Sequence, residues 1–238
     1  LKVKSKSLKS VELPHDEYFL EEETRPGDFL EVCEDQGGTY FMNSKELYSL
    51  DIIDKFIESG IDSLKIEGRA KTPYYLATVT RAYRKAIDLY YAGEFTKKAV
   101  KELVAELQLV QNRGYSHGFL LSRCGYEQEY ISAAFRPPVI FIGVVLESKN
   151  NFTEIQVKNK FKVGEKVEIV TPDKIIKTEI KEIKKKLGGN LIEEILTPQE
   201  RVWVRLEAGS SSASYEVPEG SILRKRINEQ APNVLKFI

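Results

Sequence analysis

Beyond Val139 the chain drops helical periodicity and becomes a series of short apolar stretches cut by turn residues, a pattern that constrains the fold more than any other feature. The stretches are Val139–Glu147, Phe152–Lys158, Lys166–Thr171, Lys174–Lys184, Asn190–Leu196, Arg201–Leu206 and Ser221–Arg224. Asn150-Asn151, Lys162–Glu165, Pro172-Asp173, Gly188-Gly189, Pro198 and Pro218 break them. Short strands at regular intervals, with no long helix to cover a sheet face, imply a small closed β-barrel. It is expected over residues 139–230, with 231–238 as a tail.

Up to about Gly93 the pattern alternates strand and helix instead. Thr39 to Asn43 reads as a strand, and Asn43 then suits an N-cap with Glu46 three residues on, as in a capping box. The helix so opened would carry Leu47, Leu50, Ile53 and Ile57 on one face and stop at Gly60. Ile61 to Gly68 reads as the next strand, with Leu64 and Ile66 facing one way and Lys65 and Glu67 the other. Thr72-Pro73 opens a second helix with proline at its favoured first position, and Leu76, Val79, Tyr83, Ile87 and Tyr90 form its expected apolar stripe. Two such units make only part of a parallel sheet, which needs neighbouring strands and a helix layer on both faces. Residues 1–95 are therefore expected to be the last part of an α/β domain whose other strands precede Leu1. The single methionine at position 42 agrees with that expectation. A further helix over Thr96–Val110 and an irregular stretch closed by Pro137-Pro138 make residues 96–138 a helix and linker.

Charge and motif content exclude several classes. Lys+Arg and Asp+Glu both total 36, so the chain is formally neutral, which argues against an avid nucleic-acid binder. The charge divides mildly, with 17 basic and 14 acidic residues over 139–238 and 19 and 22 over 1–138. Two cysteines, Cys33 and Cys124, cannot make a multi-disulfide scaffold. There is no glycine-rich dinucleotide fingerprint, P-loop, H-E-x-x-H or C-x-x-C, and His15 and His117 are the only imidazoles. No membrane partner is expected, because no 18-residue apolar run occurs. Leu1 to Leu13 has no signal-peptide core, so a cytoplasmic location is expected, or a secreted one if a leader precedes Leu1.

Two charged clusters remain as candidate sites. In Lys65-Ile66-Glu67-Gly68-Arg69 the alternation turns Lys65 and Glu67 towards the interior of an α/β barrel. Arg69 then falls at the carboxyl end of the strand, where such barrels place their chemistry. The cluster is either a substrate-orienting, acid/base set or an internal ion pair. In Arg201-Val202-Trp203-Val204-Arg205-Leu206 the valines turn inward and Arg201, Trp203 and Arg205 share the other face. An aromatic plate between guanidiniums suits base stacking with phosphate contact, and equally a packed tryptophan flanked by solvated arginines. Lys158, Lys160 and Lys162 add positive charge to the same half.

Several blocks of the chain resemble the peptidase U32 family of collagenase-like proteins. They are Glu21–Phe29, Gly38–Leu47 and Gly60–Asp88, and downstream Asn112–Phe119, Val157–Ile169 and Arg201–Val204. The resemblance implies an N-terminal, barrel-like (TIM-like) catalytic domain followed by a β-barrel like the second domain of elongation factors. The chain would hold the end of the first and all of the second. Family members are described either as collagen-degrading peptidases or as oxygen-independent hydroxylation proteins, many of which carry a four-cysteine iron–sulfur cluster. The motifs lie nearest the tRNA uridine hydroxylation branch. The candidate sites are then Lys65, Glu67 and Arg69 as catalytic residues, and Asn43 and Lys45 of the N-S-K-E-L motif, with Lys158, Lys160, Arg201, Trp203 and Arg205, as substrate-binding residues. The expected partner is tRNA or another RNA, the alternative being a protein or collagen substrate. No cofactor is expected in this chain, any iron–sulfur ligands lying upstream. Exposed strand edges favour pairing with a second copy, so a homo-oligomer is expected. For the isolated chain the expected role is a substrate-binding or lid module rather than a complete enzyme.

Overall fold

In a computed structural model, the described residues are 2–5, 18–21, 23–24, 26, 29–35, 38–41, 45–118, 120–121, 138–207 and 216–227. They fall into two compact units, one of residues 1–49 with 112–135, the other of 50–111 with 136–238.

In the first unit four strands, β1 (Lys2–Ser5), β2 (Tyr18–Glu21), β3 (Phe29–Asp35) and β4 (Gly38–Phe41), form an antiparallel meander in sequence order. Their register pairs Tyr18 with Val32 and Val32 with Phe41. A separate two-residue strand, β5 (Glu46–Leu47), runs parallel to β6 (Tyr115–Ser116).

In the second unit a 3₁₀ turn (Leu50–Ile52) leads into α1 (Ile53–Glu58), followed by α2 (Pro73–Tyr91) and α3 (Lys97–Leu107). Threonine caps start both long helices. The Thr72 side chain accepts from the Tyr75 N–H at 3.2 Å and that of Thr96 from the Ala99 N–H at 3.3 Å, each satisfying a donor the helix leaves open. Pro73 takes the first helical position, where its missing N–H costs nothing.

The rest of this unit is the expected barrel. Its strands are β7 (Val139–Lys149), β8 (Phe152–Val157), β9 (Phe161–Lys162), β10 (Lys166–Val170), β11 (Ile175–Lys184), β12 (Leu191–Ile192), β13 (Glu194–Ile195), β14 (Arg201–Glu207) and β15 (Ile222–Arg226). Six of them pair antiparallel in the order β10-β15-β7-β8-β14-β11, and a β10–β11 pairing closes the circle. β12 extends β11, and β9 pairs with β13 alongside. Inward-facing Ile142, Val145, Ile155, Ile169, Ile180, Val202, Val204 and Leu223 fill the interior. Gly143 is required by closeness rather than by its dihedrals, since a Cβ there would lie 2.5 Å from the Gln156 carbonyl oxygen of β8.

The N-terminal expectations need correction in three places. Ile61–Gly68 is not a strand. It runs without regular structure, with Leu64 40% exposed, and no strand among the described residues pairs with it to complete a ladder. The first helix starts at Leu50, not after Asn43, because Glu46 and Leu47 are drawn into the pairing with β6. On α2 the buried face is Tyr74, Tyr75, Thr78, Val79, Ala82 and Ala86, whereas Leu76 is 37% exposed. Small residues and tyrosines let this helix approach its neighbours closely, and that outweighs the bulkier stripe. The described residues thus show the β-barrel and few helices, not the remnant of a TIM-like barrel.

Candidate functional site

The densest polar arrangement of the second unit lies where α2 and α3 pack on the outside of the barrel. The bulge that shifts register between Leu223 and Arg224 sends Leu223 into the barrel core and leaves Arg224 fully buried against the helices. Its Nε donates to Glu168 Oε2 at 2.7 Å. Its Nη1 and Nη2 donate to the two Glu106 oxygens at 3.1 and 3.2 Å, and Nη1 also reaches the Tyr74 hydroxyl at 3.3 Å. Arg226 Nε donates to the other Glu168 oxygen at 2.7 Å, and Tyr74 stacks on Phe141 at 5.6 Å. Burial opposes the charge on Glu168, but hydrogen bonds and attraction from Arg226 and Arg224 outweigh it and hold the carboxyl below its ordinary range. Burial likewise opposes the Arg224 guanidinium, and Tyr74, Glu106 and Glu168 more than restore it. Burial raises the Tyr74 phenol. Every charge here meets an opposite one, so the network joins helices to barrel and offers no group for chemistry. Sequence reasoning missed it, although the charged run Arg224-Lys225-Arg226 closing an apolar strand was a visible signal.

Lys65, Glu67 and Arg69 are all exposed on the segment before α2 and face no barrel interior among the described residues. The Glu67 carboxylate accepts the Arg69 backbone N–H at 2.8 Å, a local turn rather than an ion pair with Lys65. Gly68 packs beneath Leu76, whose side chain occupies the space a Cβ would need.

On the barrel, Arg201 and Arg205 are exposed while Trp203 is 8% exposed. Trp203 lies between Lys184 of β11 and Glu154 of β8 in register, Lys184 stands 4.5 Å over the Phe152 ring, and Arg205 pairs with Glu182 at 2.6 Å. The tryptophan therefore presents little ring face, and Arg205 is already matched. Lys158 donates to Gln199 Oε1 at 3.0 Å, and Lys160 is exposed.

In the first unit the N-S-K-E-L and N-R-G-Y-S-H-G-F motifs meet through the β5–β6 pairing. Glu46 N donates to the Gly114 carbonyl at 2.9 Å and Tyr48 N to that of Ser116 at 2.8 Å. The Asn112 side chain caps the turn by accepting from Gly114 N at 2.9 Å, and Arg113 approaches Glu46 at 3.8 Å. The Tyr48 ring lies 5.5 Å from Tyr115 and 5.6 Å from His117. Lys45 is partly exposed beside this ladder, and Asn43 lies outside the described residues. A four-thiolate iron–sulfur cluster does not fit this chain, which has two cysteines, and no metal-binding group of three His, Cys, Asp or Glu gathers among the described residues. No helix among the described residues is long and apolar enough to cross a membrane.

Comparison with known families matches residues 12–130 to peptidase family U32 and residues 139–224 to the peptidase family U32 C-terminal domain. The chain belongs to peptidase family U32. Among its U32 relatives, tRNA hydroxylation protein P of Escherichia coli is 40% identical over 167 residues, covering 67% of this chain and 35% of that protein. tRNA hydroxylation protein P1 of Bacillus subtilis is 37% identical over 142 residues, covering 58% and 34%. A collagenase of Porphyromonas gingivalis is 31% identical over 137 residues, covering 56% and 33%. The chain spans about a third of the length of these relatives.

Proposed function

We propose that this chain is the substrate-holding portion of a U32 enzyme that hydroxylates tRNA, with uridine as the modified base. The observation that carries the reading is the 40% identity to tRNA hydroxylation protein P across 67% of the chain. In this reading the exposed Arg201 and Lys160, with Lys158 beside them, contact RNA phosphates from the barrel surface. Trp203 supports that surface from beneath rather than stacking on a base. Lys65, Glu67 and Arg69 stand ready to line the reaction centre of the whole protein, where the Ile61–Gly68 segment would gain strand neighbours. Lys45 and Asn43 would approach the same substrate. Any iron–sulfur cluster draws its thiolates from outside these residues.

The test uses the full-length protein in cells lacking the native activity, with tRNA nucleosides read by mass spectrometry. Glu67→Gln is expected to abolish the hydroxylated uridine while leaving thermal unfolding unchanged. Normal product from that variant would remove Glu67 from the chemistry, and no product from the unaltered protein would sink the tRNA reading. The collagenase relative favours a second reading, peptide hydrolysis. Gelatin cleavage by the same purified protein, without tRNA product, would install it.

A further inference from the structure

A sheet edge without a neighbouring strand presents a row of unpaired N–H and C=O groups, a template for another chain. Among the described residues the four-stranded meander of the first unit has two such edges, β1 and β4. The two differ in composition. β1 reads Lys-Val-Lys-Ser, and edge lysines keep a second copy away. β4 reads Gly-Thr-Tyr-Phe and continues in sequence into Met42, with no charge and no proline. Its ladder to β3 is regular, with Asp35 opposite Gly38, Glu34 opposite Thr39, Cys33 opposite Tyr40 and Val32 opposite Phe41. Barrel ladders, by contrast, shift register between β11 and β14, β15 and β7, and β7 and β8. The barrel's own open strand, β12, is two residues long and runs into Glu193 and Glu194. β4 therefore carries none of the devices that usually protect an edge.

The sequence of β4 is complementary to itself. Antiparallel pairing with β4 of a second copy can place a two-fold axis between Thr39 and Tyr40. Thr39 then stands opposite Tyr40 of the second copy, a β-branched residue against an aromatic one, which is a favourable cross-strand pair. Gly38 stands opposite Phe41 of the second copy, the arrangement in which an aromatic ring covers an edge glycine. Symmetry repeats both pairs, and the two-fold closes the assembly instead of propagating a filament. The same operation on β1 would gather four lysines on one ladder. The carboxylates of β3 do not oppose the pairing. Glu34 and Asp35 of the two copies are separated by three strand spacings, about 14 Å, which exceeds the screening length of physiological salt.

We propose that a second copy of this chain pairs along β4, joining two four-stranded meanders into one eight-stranded sheet. This contact needs no RNA, so its presence or absence leaves the tRNA reading where it stands.

Sedimentation equilibrium of the 238-residue chain should show a mass that rises with concentration from 27.2 kDa towards twice that value. Thr39→Lys combined with Tyr40→Lys sets lysine opposite lysine at both central pairs and should leave only monomer. Thr39→Glu combined with Tyr40→Glu should do the same. A mixture of the two double variants should recover the dimer, because each lysine then faces a glutamate, a rescue that misfolded chains could not give. A parent mass that stays at 27.2 kDa at every concentration overturns the pairing. Association that persists in either double variant alone, or that fails to return in the mixture, overturns it equally.

Discussion

A guanidinium without exposed surface must find its counter-charges inside the protein, and Arg224 finds them on two elements, Glu168 of β10 and Glu106 of α3. Removing one member strands the others, which typically costs about 3–5 kcal/mol, far more than the intact network contributes over a packed apolar replacement. Arg224→Met is therefore expected to lower stability by about 3 kcal/mol, read as a shifted urea midpoint with little change in slope. A shift as small as that of a surface lysine variant would show that the network is not closed in solution. Glu168 adds a pH dependence of known sign. Its carboxyl is held below the unfolded value of 4.5, so its contribution is present above that value and is lost as pH falls through the lower folded one. The midpoint should drop below about pH 4.5, and Glu168→Gln should flatten that part of the profile. At Gly143 the constraint is steric. Gly143→Ala forces a methyl against the β8 backbone and should cost about 1–3 kcal/mol, while the same change at exposed Gly164 meets no atom within 4 Å and is penalised only by its positive φ.

Elements whose partners are written into this chain were legible, and those that need other partners were not. Thr72 and Pro73 announce α2, and the structure starts the helix there. Thr72→Ala should lose about 1 kcal/mol, measured by chemical denaturation, through the Tyr75 N–H left open. The barrel strands were readable because β8, β11 and β14 alternate inward with outward residues, β7 is a continuous apolar run, and the turns between them carry glycine, asparagine or proline. Two places differ in kind: Asn190–Leu196 splits into β12 and β13, which pair with different neighbours, and β9 forms at Phe161–Lys162, where the sequence offers a break rather than a strand. The face of α2 was misread because bulk suggests burial, whereas Ala82 and Ala86 lie at the contact and Leu76 over Gly68 remains partly open. Ile61–Gly68 has the alternation of a strand, but alternation supplies a face and not a ladder. Its amides from Asp62 to Glu67 should exchange rapidly in the isolated chain while those of β7 and β14 are protected, a contrast hydrogen-exchange mass spectrometry reads directly. Protection of that segment equal to the barrel strands would mean that it has found a partner. The run Arg224-Lys225-Arg226 signals a charged strand end, but its partners were not legible for a related reason: Glu106, Glu168 and Arg224 are far apart in sequence, and only a bulge turns Arg224 towards the helices.

At the scale of the molecule, charge decides how an RNA-holding role could operate. A neutral chain cannot attract a polyanion from a distance, so any affinity must come from a few cations placed where acids do not cancel them. Many are cancelled: Arg205 meets Glu182, Lys225 meets Glu165 and Lys181 meets Glu179. Arg201 and Lys160 are exposed, and neither takes part in an ion pair among the described residues. Each phosphate neutralised releases counterions and contributes just under one unit to the slope of log affinity against log salt. Binding of tRNA by this chain should therefore be weak and its slope shallow, on the order of −2 to −3 rather than the steep values of strongly basic proteins. Arg201→Ala and Lys160→Ala should each flatten the slope by about one, whereas Arg205→Ala, which removes a side chain already paired, should change it little. A filter-binding titration across salt distinguishes these outcomes. A steep slope would require cations that this distribution does not provide, and equal effects from Arg205 and Arg201 would mean that Glu182 releases its arginine when RNA arrives.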